Sequence, residues 1–369
     1  MVNVSPAVAA PRRVLIMAAG TGGHVFPALA VARELQARGV EVHWLATRQG
    51  MEHRLLADAG IPLYPIDIQG VRGNGLLRLL KTPLMLLATT VAAMRLIRRL
   101  RIDAVAGFGG YVTAPGGLAA RLCGVPLVIH EQNAIAGMSN RQLARFARWV
   151  LQAFPGAFPA GERVQTTGNP VRAEIVAVPV PEQRYAGRTG PIRVLVIGGS
   201  LGAQALNERV PVALGLLAAQ GHAVKVRHQC GQAQVEATQA RYAAVPAVQA
   251  EVLPFVRDMA QAYADCDLLI CRAGALTVTE VATAGVPALF VPLPHAVDDH
   301  QTANARYLAD AGAALLCPQA TLTPAHLAGV LQPLLDRAVL LDMAQKSRRL
   351  AQPQATRQVA DVLESVFPA

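Results

Sequence analysis

Val14-Leu15-Ile16-Met17-Ala18-Ala19-Gly20-Thr21-Gly22-Gly23-His24 is a hydrophobic run of strand length that breaks into glycines. Val194-Leu195-Val196-Ile197-Gly198-Gly199-Ser200-Leu201-Gly202-Ala203 repeats the plan near the middle of the chain. A strand that turns on glycines into a helix presents bare backbone N–H groups at a positive helix end, which is how a chain holds a phosphate. Finding the device once per half predicts two Rossmann-like lobes.

The rest of the chain supports that division. Strand-like runs lie near residues 14–18, 41–46, 104–107, 127–130 and 149–152, then near 194–197, 223–228, 251–253, 268–271 and 288–291. Helical patterns fall between them, at 28–38 and 139–146, then at 203–219, 259–264, 276–284 and 299–311. Such alternation predicts an α/β fold with doubly wound parallel sheets. Pro170, Pro179, Pro181 and Pro191, with Gly187 and Gly190, mark the linker. The expected domains are 12–172 and 173–350, with a final amphipathic helix in 351–369 that packs on either lobe.

Composition narrows the class. The 369 residues are 53% hydrophobic but only 4% aromatic, so the cores must be built from Ala, Val, Leu and Ile, as in sheets covered on both faces. The net charge of +10 is nearly all arginine, lysine occurring only at Lys81, Lys225 and Lys346. It reflects either an arginine-rich composition or attraction to anions such as nucleotides and acidic lipid. Aromatic and basic residues are not interleaved as in base-stacking proteins, which argues against a nucleic-acid partner. Cys123, Cys230, Cys266, Cys271 and Cys317 form no C-x-x-C pair and read as reduced thiols rather than a zinc site. The start, 1–11, lacks a basic segment before an apolar one and reads as a tail, not a signal peptide. The uncharged stretch 82–94 is too short for a bilayer crossing, which needs roughly 20 residues.

Four clusters carry candidate chemistry. In Gly20-Thr21-Gly22-Gly23-His24 the spacing is not G-x-G-x-x-G, and Ala46-Thr47-Arg48 stands where a ribose-binding acid would follow the second strand, which argues against a dinucleotide. His24 is either a general base aimed at a ligand or a plain polar residue at a helix start. Gly107-Phe108-Gly109-Gly110-Tyr111 also follows a strand; it is a second phosphate turn or a tight turn requiring positive φ. In the 198–203 turn, Ser200 adds a hydroxyl donor. Arg272-Ala273-Gly274-Ala275-Leu276-Thr277-Val278-Thr279-Glu280 ends a strand and starts a helix, placing Glu280 to bridge two ribose hydroxyls or to sit solvated. Downstream, Gln301 and Asn304 suit a sugar.

Taken in order, Gly20–His24, the 107–111 turn, His130-Glu131-Gln132-Asn133, Gly168-Asn169-Pro170-Val171-Arg172, the 198–203 turn and the 272–280 segment closely resemble the MurG family of membrane-associated N-acetylglucosaminyltransferases. The likeness covers about residues 13–350. It implies a GT-B fold, two Rossmann-like domains facing a central cleft, with an N-terminal acceptor and membrane domain and a C-terminal donor domain. It implies transfer of N-acetylglucosamine from UDP-N-acetylglucosamine to the 4-hydroxyl of the muramyl sugar of lipid I, forming lipid II for peptidoglycan, with inversion. The donor would be held by Arg172, Ser200, Val256, Ala275, Leu276, Thr277, Val278, Thr279, Glu280 and Gln301, with Thr21, Gly22, Gly23 and Asn133 reaching the sugar. The acceptor pyrophosphate would meet the 20–24 turn and Gly109, Gly110 and Tyr111. His24 is the first candidate base and Glu131 the second. Neither a bound metal nor a cofactor is expected.

The resemblance also implies peripheral attachment to the cytoplasmic face of the bacterial inner membrane, with wall-synthesis proteins as partners. Leu76, Leu77, Leu79, Leu80 and Lys81 mix apolar and basic character, as an interfacial patch on anionic lipid or as an ordinary buried helix. Two departures from the family pattern stand out. The 293–299 segment is about one residue longer than is common, which blurs the place of Gln301, and Ala273 and Leu201 replace the usual Ser and Gln. The competing readings are another GT-B enzyme using a UDP-sugar, namely a lipid glycosyltransferase or a UDP-N-acetylglucosamine 2-epimerase, and a non-enzymatic nucleotide-binding module.

Overall fold

The computed structural model describes residues 11–68, 76–199, 201–294 and 299–368, with residues 76–81 described by backbone alone. Ser200, the side chains of Leu76, Leu77, Leu79, Leu80 and Lys81, and nearly all of the expected N-terminal tail lie outside the described set. Two compact units emerge. One comprises the chain up to Gln132, Ala136–Pro170 and the end from Gln354; the other comprises Asn133–Ile135 and Val171–Pro353.

The first unit holds a seven-stranded parallel sheet of β1 (Arg13–Met17), β2 (Glu41–Thr47), β3 (Leu63–Ile66), β4 (Ala104–Gly107), β5 (Leu127–Glu131), β6 (Trp149–Gln152) and β7 (Val164–Thr166), in the order β3-β2-β1-β4-β5-β6-β7. The second holds β8 (Ile192–Ile197), β9 (Val224–Gln229), β10 (Gln249–Leu253), β11 (Leu268–Cys271), β12 (Ala288–Phe290) and β13 (Ala314–Leu316), in the order β10-β9-β8-β11-β12-β13. Each order runs outward one way, then reverses beside its first strand. The reversal lies between β1 and β4 in one sheet and between β8 and β11 in the other. A crevice opens at such a switch point, beyond the carboxyl ends of the strands, and that is where doubly wound sheets bind ligands. All four Gly-containing clusters sit there.

The duplication extends to a detail that no motif shows. Asp103, just before β4, accepts from the Arg13 N–H at 2.7 Å through its side chain, and its own N–H donates to the Arg13 carbonyl at 2.8 Å. Asp267, just before β11, makes the same pair with Arg193 at 2.9 and 2.8 Å. Each carboxylate fixes the register of the two strands that flank the switch point.

Helix Gly22–Ala37 begins six residues earlier than the pattern suggested. Pro27 reads as a helix start, because its ring lacks an N–H and suits the first turn. Here it is tolerated one turn later, so the free helix end coincides with Gly22 and His24. The last helix, Ala355–Ser365, belongs to the first unit: Val359, Ala360 and Leu363 complete its core, and Arg38 holds Asp361 at 2.6 Å and Glu364 at 2.7 Å. Among the described residues no helix is long and apolar enough to cross a membrane.

Candidate active site

At the first switch point two turns lie side by side, since β1 and β4 pair in register at Met17 and Gly107. The packing is too close for side chains. A Cβ on Gly110 would meet the Ala19 carbonyl oxygen at 2.3 Å, and one on Gly109 would stand 2.8 Å from the His24 ring; both glycines have positive φ. The 107–111 turn is therefore glycine-bound by fit, and it carries His24 against its backbone. His24 Nδ1 lies 3.3 Å from the Ala19 carbonyl and 3.4 Å from Thr21 Oγ1. A carbonyl can only accept, so this contact favours the proton on Nδ1 and the lone pair on Nε2, the tautomer a base needs. Tyr111 is half exposed.

Glu131 has a different setting. It is buried, and its Oε2 accepts from the Gly137 N–H at 3.0 Å and from Asn140 Nδ2 at 2.9 Å. Its neighbour His130 donates from Nε2 to the Gly168 carbonyl at 2.9 Å, accepts on Nδ1 from Gln132 Nε2 at 3.1 Å, and stacks on Phe108. Burial draws the His130 imidazole down to about 4, so it stays neutral and holds two loops together. Both residues of this pair organise the first switch point. Asn133, in the second unit, accepts from Asn304 Nδ2 at 3.2 Å, and Asn304 Oδ1 accepts from the Ala134 N–H at 2.8 Å.

At the second switch point a pocket of about 810 Å³ is lined by Gly198, Gly199, Gly274, Thr277 and Gln301, which the sequence singled out, and by Arg209, Arg272 and Gln319, whose part it left unread. The volume falls in the range of small-molecule sites. Arg272 Nη2 donates to Gln319 Oε1 at 2.7 Å, and Arg209 Nη1 donates to the Gln319 carbonyl at 2.8 Å, so two guanidinium groups border the space. Gln301 uses its side-chain oxygen to accept from the Ala273 and Leu293 N–H groups, at 3.2 and 2.9 Å.

Gln229 was also missed. It ends β9 in register with Ile197. Its Oε1 accepts from the Gly198 N–H at 3.1 Å, and its Nε2 donates to the Gly199 carbonyl at 2.9 Å and the Pro254 carbonyl at 3.1 Å. One buried side chain thus clamps the turn on both sides. The only signal available was a polar residue closing a buried strand beside the switch point.

Helix Ala275–Ala284 starts at Gly274, leaving the N–H groups of Ala275, Leu276 and Thr277 without partners inside the helix. Val278 does not belong with them: its side chain is fully buried and its N–H donates to the Gly274 carbonyl at 3.0 Å. Thr279 Oγ1 donates to the Ala275 carbonyl at 3.0 Å. Glu280 is not solvated. It is 6% exposed, with Arg172 Nη2 donating to Oε1 at 3.0 Å and the Tyr263 hydroxyl donating to Oε2 at 3.1 Å. Burial lifts its carboxyl above the ordinary value, against the pull of Arg172 and Tyr263. Arg172, expected on a diphosphate, lies on Glu280 instead. Val256 is buried just after β10. Among the described residues no cluster of three His, Cys, Asp or Glu side chains is placed to hold a metal ion.

Two family models match this layout half by half: the glycosyltransferase family 28 N-terminal domain over residues 14–152 and the family 28 C-terminal domain over residues 193–363. The chain belongs to glycosyltransferase family 28. Relatives match it along nearly the whole chain. A protein of Acinetobacter baylyi is 59% identical over 98% of this chain and 99% of its own length, and one of Marinobacter nauticus is 56% identical over 95% and 96%. Both are named UDP-N-acetylglucosamine–N-acetylmuramyl-(pentapeptide) pyrophosphoryl-undecaprenol N-acetylglucosamine transferase. The crystal structure of Acinetobacter baumannii MurG matches with a TM-score of 0.86 and 57% identity, over 96% of this chain and all of the other. The two doubly wound parallel sheets of this family 28 chain are those of the GT-B fold.

Proposed function

We propose that this family 28 chain transfers N-acetylglucosamine from UDP-N-acetylglucosamine to the 4-hydroxyl of the muramyl sugar of lipid I, giving lipid II and UDP. What carries the reading is the pair of phosphate-type switch points, in a chain 59% identical over nearly its full length to a protein named for that transfer. Donor and acceptor each bear a pyrophosphate, so two such crevices have a use.

The donor diphosphate takes the pocket at the second switch point. It accepts from N–H groups of the 198–203 turn, with Ser200, and from the free start of helix Ala275–Ala284, bordered by Arg209 and Arg272. Glu280, held by Arg172 and Tyr263, accepts from the ribose hydroxyls; a carboxylate oxygen takes more than one donor. Val256 meets the uracil through its backbone, and Gln301 and Asn133 serve the sugar. The acceptor pyrophosphate takes the 20–24 and 107–111 turns. In the reaction the acceptor O4 bonds to the anomeric carbon as the bond from that carbon to the phosphate oxygen breaks. The O4 proton passes to His24 Nε2, and the electron pair leaves with UDP.

The test is transfer of label from UDP-N-acetylglucosamine to a short-chain lipid I analogue. The product should be a disaccharide lipid, with no sugar-nucleotide turnover when acceptor is omitted. Turnover without acceptor points to an epimerase, and no transfer at all removes the reading.

Attachment to an anionic membrane surface is the further part of this proposal. The apolar and basic run at Leu76, Leu77, Leu79, Leu80 and Lys81 continues along helix Leu76–Leu100, where Leu84 and Leu87 are 71% and 62% exposed, one turn apart. Exposed leucines beside lysine and arginine suit a peripheral helix lying in the headgroup region. Leu84→Glu/Leu87→Glu is expected to cut binding to vesicles containing phosphatidylglycerol at least about tenfold, near 1.4 kcal/mol, while UDP binding is kept. Vesicle binding equal to that of the parent chain would sink this part.

A further inference from the structure

The other end of the second sheet holds a second recess. It measures about 470 Å³ and lies at the amino ends of β8, β9 and β10, away from the Gly198 turn. Its lining includes Arg193, Lys225, Arg227, Gln249, Glu251 and Asp265. Arg193, Lys225 and Gln249 are register partners across the three strands, and all three are exposed. Neighbouring strands are about 4.8 Å apart and register partners point to one face, so the Arg193 and Lys225 side chains leave the sheet side by side. Like charges placed opposite each other destabilise a sheet.

The next row does not relieve them. Arg227 takes Glu251 at 2.6 Å and stands 3.8 Å from Asp265, whose other oxygen accepts from Gln261. Among the described residues no carboxylate pairs with the side chain of Arg193 or Lys225. The first sheet shows what neutrality looks like at the same position. Arg13, which shares the Asp-to-backbone pair of Arg193, faces Glu41 in register and donates to it at 2.9 Å. In the second sheet Lys225 stands where Glu41 would be.

We propose that this recess binds a small phosphate monoester, whose dianion bridges Arg193 and Lys225. A dianion supplies the charge that Glu41 supplies in the first sheet, and its oxygens accept from both cations. The recess is larger than a bare phosphate needs and suits a sugar-sized organic part. The site is separate from the donor pocket, so its occupancy does not compete with UDP.

Titration calorimetry on the full chain with UDP saturating tests this, using ribose 5-phosphate and inorganic phosphate as probes. Ribose 5-phosphate should bind one-to-one and more tightly than phosphate. Binding should weaken at least about tenfold in Arg193→Gln/Lys225→Gln, with UDP affinity unchanged. Lys225→Glu, which copies the Arg13–Glu41 pair, should abolish binding and raise the thermal midpoint. Equal binding of the two probes would mean an adventitious ion only. No saturable binding, or binding unaltered by the substitutions, overturns the site. A thermal midpoint that fails to rise in Lys225→Glu overturns the charge argument beneath it.

Discussion

His24→Ala is expected to lower kcat for sugar transfer about 10²- to 10⁴-fold, the span of a positioned general base, with little change in either KM. The expectation rests on position and tautomer. The ring stands at the free end of helix Gly22–Ala37, against Gly109, with Nδ1 committed to the Ala19 carbonyl. Glu131, the rival base, has its Oε2 tied to Gly137 and Asn140. Glu131→Gln keeps one accepting oxygen for those groups but removes the charge they share, and its expected effect is a lower thermal midpoint. If His24→Ala kept near-normal kcat while Glu131→Gln abolished turnover in a folded protein, the two roles would be exchanged.

Glu280→Ala is expected to lower kcat/KM for UDP-N-acetylglucosamine about 10²- to 10⁴-fold, mostly through KM. Hydrogen bonds to a charged group are worth about 1.5–3 kcal/mol each, and in the proposed complex both ribose hydroxyls lose their acceptor. Arg172 and the Tyr263 hydroxyl lose theirs as well. Acidity should tell the same story. The proposed ribose contact needs the carboxylate form, and burial lifts the Glu280 carboxyl above its ordinary value. Affinity should therefore fail, as the pH drops, earlier than an ordinary glutamate would allow. Glu280→Gln should flatten that limb of a pH profile of KM. A profile unchanged by Glu280→Gln, with KM near that of the parent chain, would remove Glu280 from the site.

The strands next to the switch points were legible because they are continuous apolar runs buried on both faces. Of the four edge strands only β10, near 251–253, was legible; β3, β7 and β13 were not. In β3, Pro65 breaks the pattern, and an edge position is where a strand tolerates proline. In β13, Ala314-Leu315-Leu316 is too short to differ from helix, and β7 has three residues, none buried. Glycine turns announce themselves locally, so all four clusters could be found from spacing. The partners that give those clusters their chemistry come from elsewhere in the chain. Arg172 lies 108 residues from Glu280, and Gln229 lies 31 from Gly198. No local pattern encodes such pairs. Val278 shows the converse: it lies within the run expected to line the donor, yet the helix turns its side chain into the core.

In the proposed reading the two switch points hold different pyrophosphates. Initial rates of transfer, with each substrate varied in turn, test it in two variants. Gln229→Ala unclamps the Gly198 turn, and Tyr111→Ala trims the half-exposed rim of the other. Gln229→Ala should raise KM for UDP-N-acetylglucosamine about tenfold, near 1.4 kcal/mol, and leave the lipid I analogue alone; Tyr111→Ala should do the reverse. If both variants shift the same KM, the two turns serve one ligand and the account fails.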